Sequence, residues 1–254
     1  MAIVRDQVII LNSIKHGDSS LILHAFGHDS GQISVIAKGA RSKKPRFGAA
    51  LETMSHSEII FSHKATREIQ MLREARIINS FLPIRDDLER TALGLAVCEL
   101  LRMVTPIAES SSEIFDISVR ALESISKAKK NVRNHFWRFE LELFRPLGIG
   151  LSLSKCAQCG RVPDADLDKE VEFDVSGGAV RCSSCKIGTG ITLTLETYKV
   201  LEFLNRTKPR TVGNITISKG AEAAIKFVLF RHLQTHLPVR HPLRSLDALQ
   251  WGSG

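Results

Sequence analysis

Four cysteines carry the clearest chemical signal in this 254-residue chain. They form two Cys-x-x-Cys pairs, Cys156 with Cys159 and Cys182 with Cys185, separated by the twenty-two residues Gly160 to Arg181. Four thiolates in two such pairs can converge on one point and complete a tetrahedron around Zn²⁺ at Zn–S distances of about 2.3 Å. A two-residue gap suits a tight turn that aims both sulfurs the same way, and Gly160 supplies a residue able to take positive φ just after the first pair. Between the pairs, Val171 to Val175 reads as a strand, Ser176-Gly177-Gly178 as a turn and Ala179 to Arg181 as the return strand. The pattern predicts a zinc ribbon holding one structural Zn²⁺ per chain.

Competing chemistries fit less well. Two disulfides would suit a secreted chain, but the N-terminus lacks the apolar core of a signal peptide. No apolar run approaches the roughly 18 residues of a membrane span. Thioredoxin-like redox work needs one pair at a helix start. A catalytic zinc keeps a ligand position open, whereas four cysteines close the shell. A zinc nucleotide deaminase needs His-x-Glu upstream and a proline before its cysteine pair, and the sequence offers neither. The fifth cysteine, Cys98, sits in an apolar helical pattern and reads as a small core residue.

The elements that must position these groups follow from hydrophobic periodicity. Val8–Ile14, Ser20–Phe26, Gln32–Lys38, Glu58–His63 and Ile69–Ile77 read as five short strands with polar turns. They predict a small barrel over residues 1–80, of OB-fold type, a common platform for single strands; periodicity alone also fits an SH3-like barrel. Between the third and fourth strands lies Lys38-Gly39-Ala40-Arg41-Ser42-Lys43-Lys44-Pro45-Arg46-Phe47. Five of these ten residues are cationic, and no Asp or Glu occurs from Ser30 to Leu51. Gly39, Ser42 and Pro45 make this a loop. Lys38, Arg41, Lys43, Lys44 and Arg46 could neutralise phosphates and release counterions; the plainer reading is a solvated loop. Phe47 could stack on a base or, as isolated aromatics more often do, anchor the loop to the core.

From Asp86 the pattern turns helical. Helices are expected from Asp86 or Asp87 to about Val104, from the Ser110-Ser111-Ser112-Glu113 segment onward, from about Val132 to Phe144, from Thr194 to Arg206 and from Ser218 to Leu237. The expected division is therefore an α+β chain: a barrel at 1–80, a helical domain at 81–150 and 191–254, and a zinc module at 151–190 inserted in it. Lys127, Lys129, Lys130 and Arg133 gather at a helix junction, where they could attract an acidic peptide or a phosphate backbone, or simply solvate a helix end. The net charge of +8 agrees with an anionic partner.

The chain resembles the RecO family of bacterial recombination mediators in the RecF repair pathway. The resemblance runs over essentially the whole length. It is carried by Ile14-Lys15-His16-Gly17-Asp18-Ser19-Ser20, by Gly31 to Arg41 ending in Lys-Gly-Ala-Arg, by Phe144 to Leu151 ahead of Cys156-x-x-Cys159-Gly160, by Phe173 to Cys185 with Gly177-Gly178, and by Arg231 to Leu237 followed by Arg244-Ser245-Leu246. Pro45 departs from the expected loop end. The resemblance implies a non-catalytic DNA repair and recombination protein of the cytoplasm, associated with the nucleoid. Such a protein binds single- and double-stranded DNA, anneals complementary strands and, with RecR, helps load RecA onto DNA coated by single-strand-binding protein. It assigns zinc to the four cysteines and DNA contact to the cations of the 38–46 loop. It also points to the Lys127 to Arg133 cluster as a seat for the acidic tail of single-strand-binding protein.

Two other classes compete: a zinc-ribbon RNA-binding factor, and a nuclease built from scattered carboxylates. Against an enzyme, the sequence has no phosphate-binding Gly-x-x-x-x-Gly-Lys-Ser/Thr loop, no His-Glu-x-x-His and no Gly-x-Ser-x-Gly.

Overall fold

The computed structural model describes residues 2–43, 46–208 and 210–247. Among them, no helix is long and apolar enough to cross a membrane. The chain forms two compact units, one reaching to Lys127 and including the short segment from Leu243, the other running from Ala128 to Pro242.

The first unit opens with five strands: β1 (Ala2–His16), β2 (Ser20–Gly27), β3 (Gly31–Ala37), β4 (His56–His63) and β5 (Ile69–Asn79). β1 is 15 residues long, about twice the strand read from its apolar run, because its two halves serve different neighbours. Ile14 pairs with Ile22 on β2, while Val4 pairs with Phe61 on β4. A register shift between Ile10 and Asn12 bends the strand, as bulges do at barrel corners. With β3 and β5 parallel and β4 and β5 antiparallel, the order β1-β2-β3-β5-β4 returns on itself as a closed barrel. Alternate residues point inward, so Val8, Ile10, Leu23, Ala25, Val35, Ile59, Phe61 and Leu72 form one core.

Three helices of the same unit follow: α1 (Leu82–Arg85), α2 (Leu88–Val104) and α3 (Ser112–Lys127). Asp87 caps α2 by accepting the Arg90 N–H at 2.8 Å, as the sequence signal required. Gly94 lets α2 pass close to its neighbours: a Cβ there would stand 2.6 Å from the Met54 sulfur and 3.0 Å from Ile84 Cγ2. Cys98 is buried, and burial pushes its thiol up to about 12, so it packs as an apolar residue.

The second unit contains α4 (Val132–Leu143), β6 (Ser152–Cys156), β7 (Glu170–Asp174), β8 (Ala179–Arg181), β9 (Ile191–Thr194), α5 (Leu195–Arg206) and α6 (Lys219–His236); a four-residue helix, α7 (Arg244–Asp247), closes the described chain in the first unit. Phe136, Trp137, Phe139, Leu141 and Leu143 of α4 are buried with Leu201, Leu204, Ile225 and Leu229, so the α4 aromatics are packing residues. The strands form a sheet ordered β6-β8-β7-β9. The ribbon hairpin β7–β8 stands as the sequence predicts; β6 and β9 flank it as additions.

The candidate metal centre and the basic barrel loop

The four cysteines arrive from two turns at the end of this sheet. Cys156 ends β6 and is fixed by its own N–H, which donates to the Arg161 carbonyl at 2.8 Å. Gly160 takes φ +74° and donates to the Cys156 carbonyl at 2.9 Å, closing the first turn. The second turn is closed by the Cys185 N–H on the Cys182 carbonyl at 3.0 Å. All four sulfurs lie within 4.8 Å of one another, and Cys159 Sγ is 3.8 Å from Cys182 Sγ. That spacing matches the edge of about 3.8 Å expected for a tetrahedron with metal–sulfur bonds near 2.3 Å. Burial opposes ionisation of Cys156, yet the N–H groups of Cys159, Cys182 and Gln158 outweigh it and bring the thiol down to about 6. A sulfur so surrounded by donors is prepared to act as thiolate. The residues present therefore fit a metal ion, held by Cys156, Cys159, Cys182 and Cys185. Such an ion would cross-link the two turns.

A second layer of charge braces these turns, and sequence reasoning missed it. Asp168 is buried and takes a two-pronged grip from Arg161, Nη1 to Oδ2 at 2.7 Å and Nη2 to Oδ1 at 3.0 Å. It also accepts the N–H of Ser183 at 2.8 Å and the N–H of Asp164 at 3.1 Å. The Arg161 guanidinium, with these donors, holds the carboxyl far below the usual range. Behind the second turn, buried Glu172 accepts the N–H groups of Ile187 and Gly188, at 3.3 and 2.6 Å, while Arg181 joins it to Asp174. The only sequence signal was an Arg two residues after Cys159 and an acid later in the same loop, a pairing that spacing alone does not single out.

The basic loop leaves the barrel after β3. Lys38, Arg41, Lys43 and Arg46 are all exposed; Lys44, expected beside them, lies outside the described residues. Gly39 takes φ +74° and its carbonyl accepts the N–H and hydroxyl of Ser42, at 3.2 and 2.9 Å. Arg41 binds the β1–β2 turn twice: its N–H donates to the Ser19 carbonyl at 2.8 Å and its Nη1 to the Gly17 carbonyl at 3.3 Å. The loop is thereby tied to the end of β1, where Lys15 and His16 are also exposed. Phe47 is buried in the barrel core, with the Arg46 guanidinium 5.3 Å above its ring. It anchors the loop and is not offered for stacking.

The helix-junction cluster is less open than its charge suggests. Lys127 pairs with Glu123 and Arg133 with Glu222, each at 3.2 Å. Lys129 and Lys130 are exposed.

An OB-ordered barrel with a basic loop, joined in one chain to a helical unit bearing a four-cysteine centre, defines a class of two-part proteins. Comparison with known sequences places it more closely. The "Recombination protein O N terminal" family model matches residues 1–81 and "Recombination protein O C terminal" matches residues 85–247. The chain belongs to the RecO family. The two models meet where the barrel gives way to helices. Among curated relatives named DNA repair protein RecO, that of Desulfatibacillum aliphaticivorans is 29% identical over 92% of each chain, and that of Chloroherpeton thalassium 26% over 96% of each. That of Salinibacter ruber is 32% identical over 61% of this chain and 59% of its own.

Proposed function

We propose that the chain is a non-enzymatic DNA repair and recombination mediator that binds single- and double-stranded DNA and anneals complementary strands. The observation that carries this reading is the exposed cationic loop on the rim of an OB-ordered barrel, free of acidic residues from Ser30 to Leu51. Two complementary strands repel through their phosphates. Lysines and arginines displace condensed counterions and lower that repulsion, with no covalent bond broken. The relatives' name, DNA repair protein RecO, supports the same reading.

The finer account is that of the family: with RecR, the protein assists loading of RecA on DNA coated by single-strand-binding protein, in the bacterial cytoplasm. The metal at the four cysteines is Zn²⁺, since four thiolates in a closed shell suit it and leave no position for substrate. An acidic tail at Lys127, Lys129, Lys130 and Arg133 rests on charge alone. The decisive experiment is annealing of complementary strands coated with single-strand-binding protein, with and without this protein, across a salt titration. Acceleration that declines steeply with salt is expected. No acceleration, or cleavage of labelled DNA with Mg²⁺, would refute the proposal; tighter binding to matched RNA would favour an RNA-binding factor.

A further inference from the structure

We propose that Cys159 is a site of oxidation by hydroperoxides, resolved by Cys182 into a disulfide that takes over the link between the two cysteine turns as the metal departs. The proposal rests on the reading of the four cysteines as a Zn²⁺ site and adds to it a second, covalent state of the same centre.

The four sulfurs stand close together but are not equally open. Cys159 is exposed and Cys185 half-buried, whereas Cys156 and Cys182 are only 2% and 1% exposed. A small oxidant arriving from solvent therefore meets Cys159 first. A metal-bound cysteine sulfur is a thiolate, which is also the nucleophilic form. Cys159 sits on the first turn and Cys182 on the second, with 3.8 Å between their sulfurs. The gap left to an S–S bond of about 2.05 Å is shared by two side chains that rotate about χ1. An accessible cysteine with a second one poised beside it is the usual arrangement of an oxidant-sensitive pair.

The turns are also held together by bonds that run through no sulfur. Asp168, gripped by Arg161 just past Cys159, accepts the N–H of Ser183 at 2.8 Å and its hydroxyl at 2.5 Å, and Ser183 adjoins Cys182. The Ala157 N–H donates to the Val180 carbonyl at 2.8 Å, tying the first turn to the strand that leads into the second. These contacts keep Cys159 and Cys182 facing each other while the sulfurs change partners.

The chemistry balances with hydrogen peroxide as the oxidant. The Cys159 sulfur attacks one peroxide oxygen; the S–O bond forms as the O–O bond breaks, and the leaving hydroxide takes a proton to become water. The sulfur has given up two electrons and is a sulfenic acid. The Cys182 sulfur then attacks it; the S–S bond forms, the S–O bond breaks, and the second oxygen leaves as water. Two thiols and one peroxide have become one disulfide and two waters. With two of its four ligands gone, the closed shell is broken and Zn²⁺ is released.

The test uses the full chain loaded with Zn²⁺ and titrated with hydrogen peroxide. Released metal is read with a chromophoric chelator, and the chain is then alkylated and digested with trypsin. Cuts after Lys155, Arg161, Arg181 and Lys186 leave each cysteine pair on its own peptide, 156–161 and 182–186. Loss of one Zn²⁺ per chain is expected, with the two peptides joined through Cys159 and Cys182 and buried Cys98 still reduced. Dithiothreitol with added Zn²⁺ should restore the starting state. The oxidised chain should keep its hydrogen-exchange protection at Phe173 and Val180. In C182S the Cys159 sulfenic acid should persist and be captured by dimedone; where that variant fails to fold, the wild-type map decides. Disulfides closed within one peptide overturn the proposal, as does Zn²⁺ retained in excess peroxide, or protection lost on oxidation as fully as on chelation. A wild type that takes up no Zn²⁺ refutes the metal assignment, and the peptide map of the metal-free chain then decides the disulfide by itself.

Discussion

Arg161 and Asp168 form a two-pronged ion pair, with N–O distances of 2.7 and 3.0 Å, that spans the two cysteine turns. Arg161 lies two residues past Cys159, and Asp168 reaches on to Ser183, the neighbour of Cys182. The brace therefore links the loop after the first cysteine turn to the second turn through side chains alone. Asp168→Asn keeps the shape and removes the charge. Loss of such an outer partner typically lowers metal affinity about 10–100-fold, and a chelator competition titration on the purified variant should read a loss of that order. Unchanged affinity would confine the pair to holding the loop and give it no part in tuning the metal site.

The same pair has a pH signature. Asp168 titrates well below an ordinary carboxylate because Arg161 and its other donors favour the anion. Its contribution to stability is therefore present above the unfolded carboxyl's value of about 3.9 and disappears as acid protonates it in the folded state. As pH falls below about 4, the gap in denaturant midpoint between wild type and Asp168→Asn should begin to narrow, closing only in much stronger acid where the folded carboxyl is protonated; at pH 7 wild type should be the more stable.

Glu140 gives a dependence of opposite sign. It is buried, and burial pushes its carboxyl up to about 8. A raised folded value means that stability is full below the unfolded carboxyl's value of about 4.3 and is lost as pH rises through about 8. Denaturation at pH 6 and pH 9 should show wild type weakening across this interval, with Glu140→Gln nearly flat. Parallel curves for the two proteins would contradict it.

The barrel loop separates charge from packing. Replacing Lys38, Lys43 and Arg46 by Gln should weaken single-stranded DNA binding and flatten its salt dependence by about 0.7 in log–log slope for each phosphate no longer neutralised. Phe47→Leu, in the core, should leave DNA affinity within about twofold, since no base stacks on it. Phe47→Ala should destabilise the barrel by about 3–5 kcal/mol, the usual cost of truncating a core aromatic. A large affinity loss in Phe47→Leu at unchanged stability would restore the stacking role.

Metal removal should act on one unit. The sheet β6-β8-β7-β9 has few residues of its own, and a metal held by the four cysteines would supply the cross-link that such a small module needs. Hydrogen exchange after chelation should show reduced protection at Val171, Phe173 and Val180, with Val8, Leu23 and Val35 unaffected. Equal losses in both would show that the cysteine centre supports the whole chain.

What could be read from sequence followed the range of the forces involved. Val8 to Ile10 and Ile59 to Phe61 announce strands because local alternation and β-branching are written in adjacent residues. The Cys-x-x-Cys pairs announce a metal because ligand geometry constrains spacing. β6 and β9 were not foreseen: Ser152-Leu153-Ser154-Lys155-Cys156 carries little apolar alternation and becomes a strand only because β8 lies beside it. Asp168 was invisible for the same reason, since its partners Arg161 and Ser183 are set by the fold. Lys127 and Arg133 counted as free charge in sequence, yet Glu123 and Glu222 meet them in space. Phe47 resolved the other way: two roles fitted its sequence context, and burial chose the anchor.

The long first strand has a consequence for how the chain acquires its shape. Ala2 pairs with His63 and Ile9 with His56, so the barrel's closing seam joins the start of the chain to residues made far later. On a ribosome releasing the chain N-terminus first, the meander β1–β3 can form early, but it keeps an open edge until β4 and β5 emerge. Such distant pairings close slowly because the intervening loop must be ordered first. During that interval the edge of β1 offers unpaired backbone groups to any neighbouring strand. Conditions or fusions that hinder the first few residues should show themselves as poor folding yield.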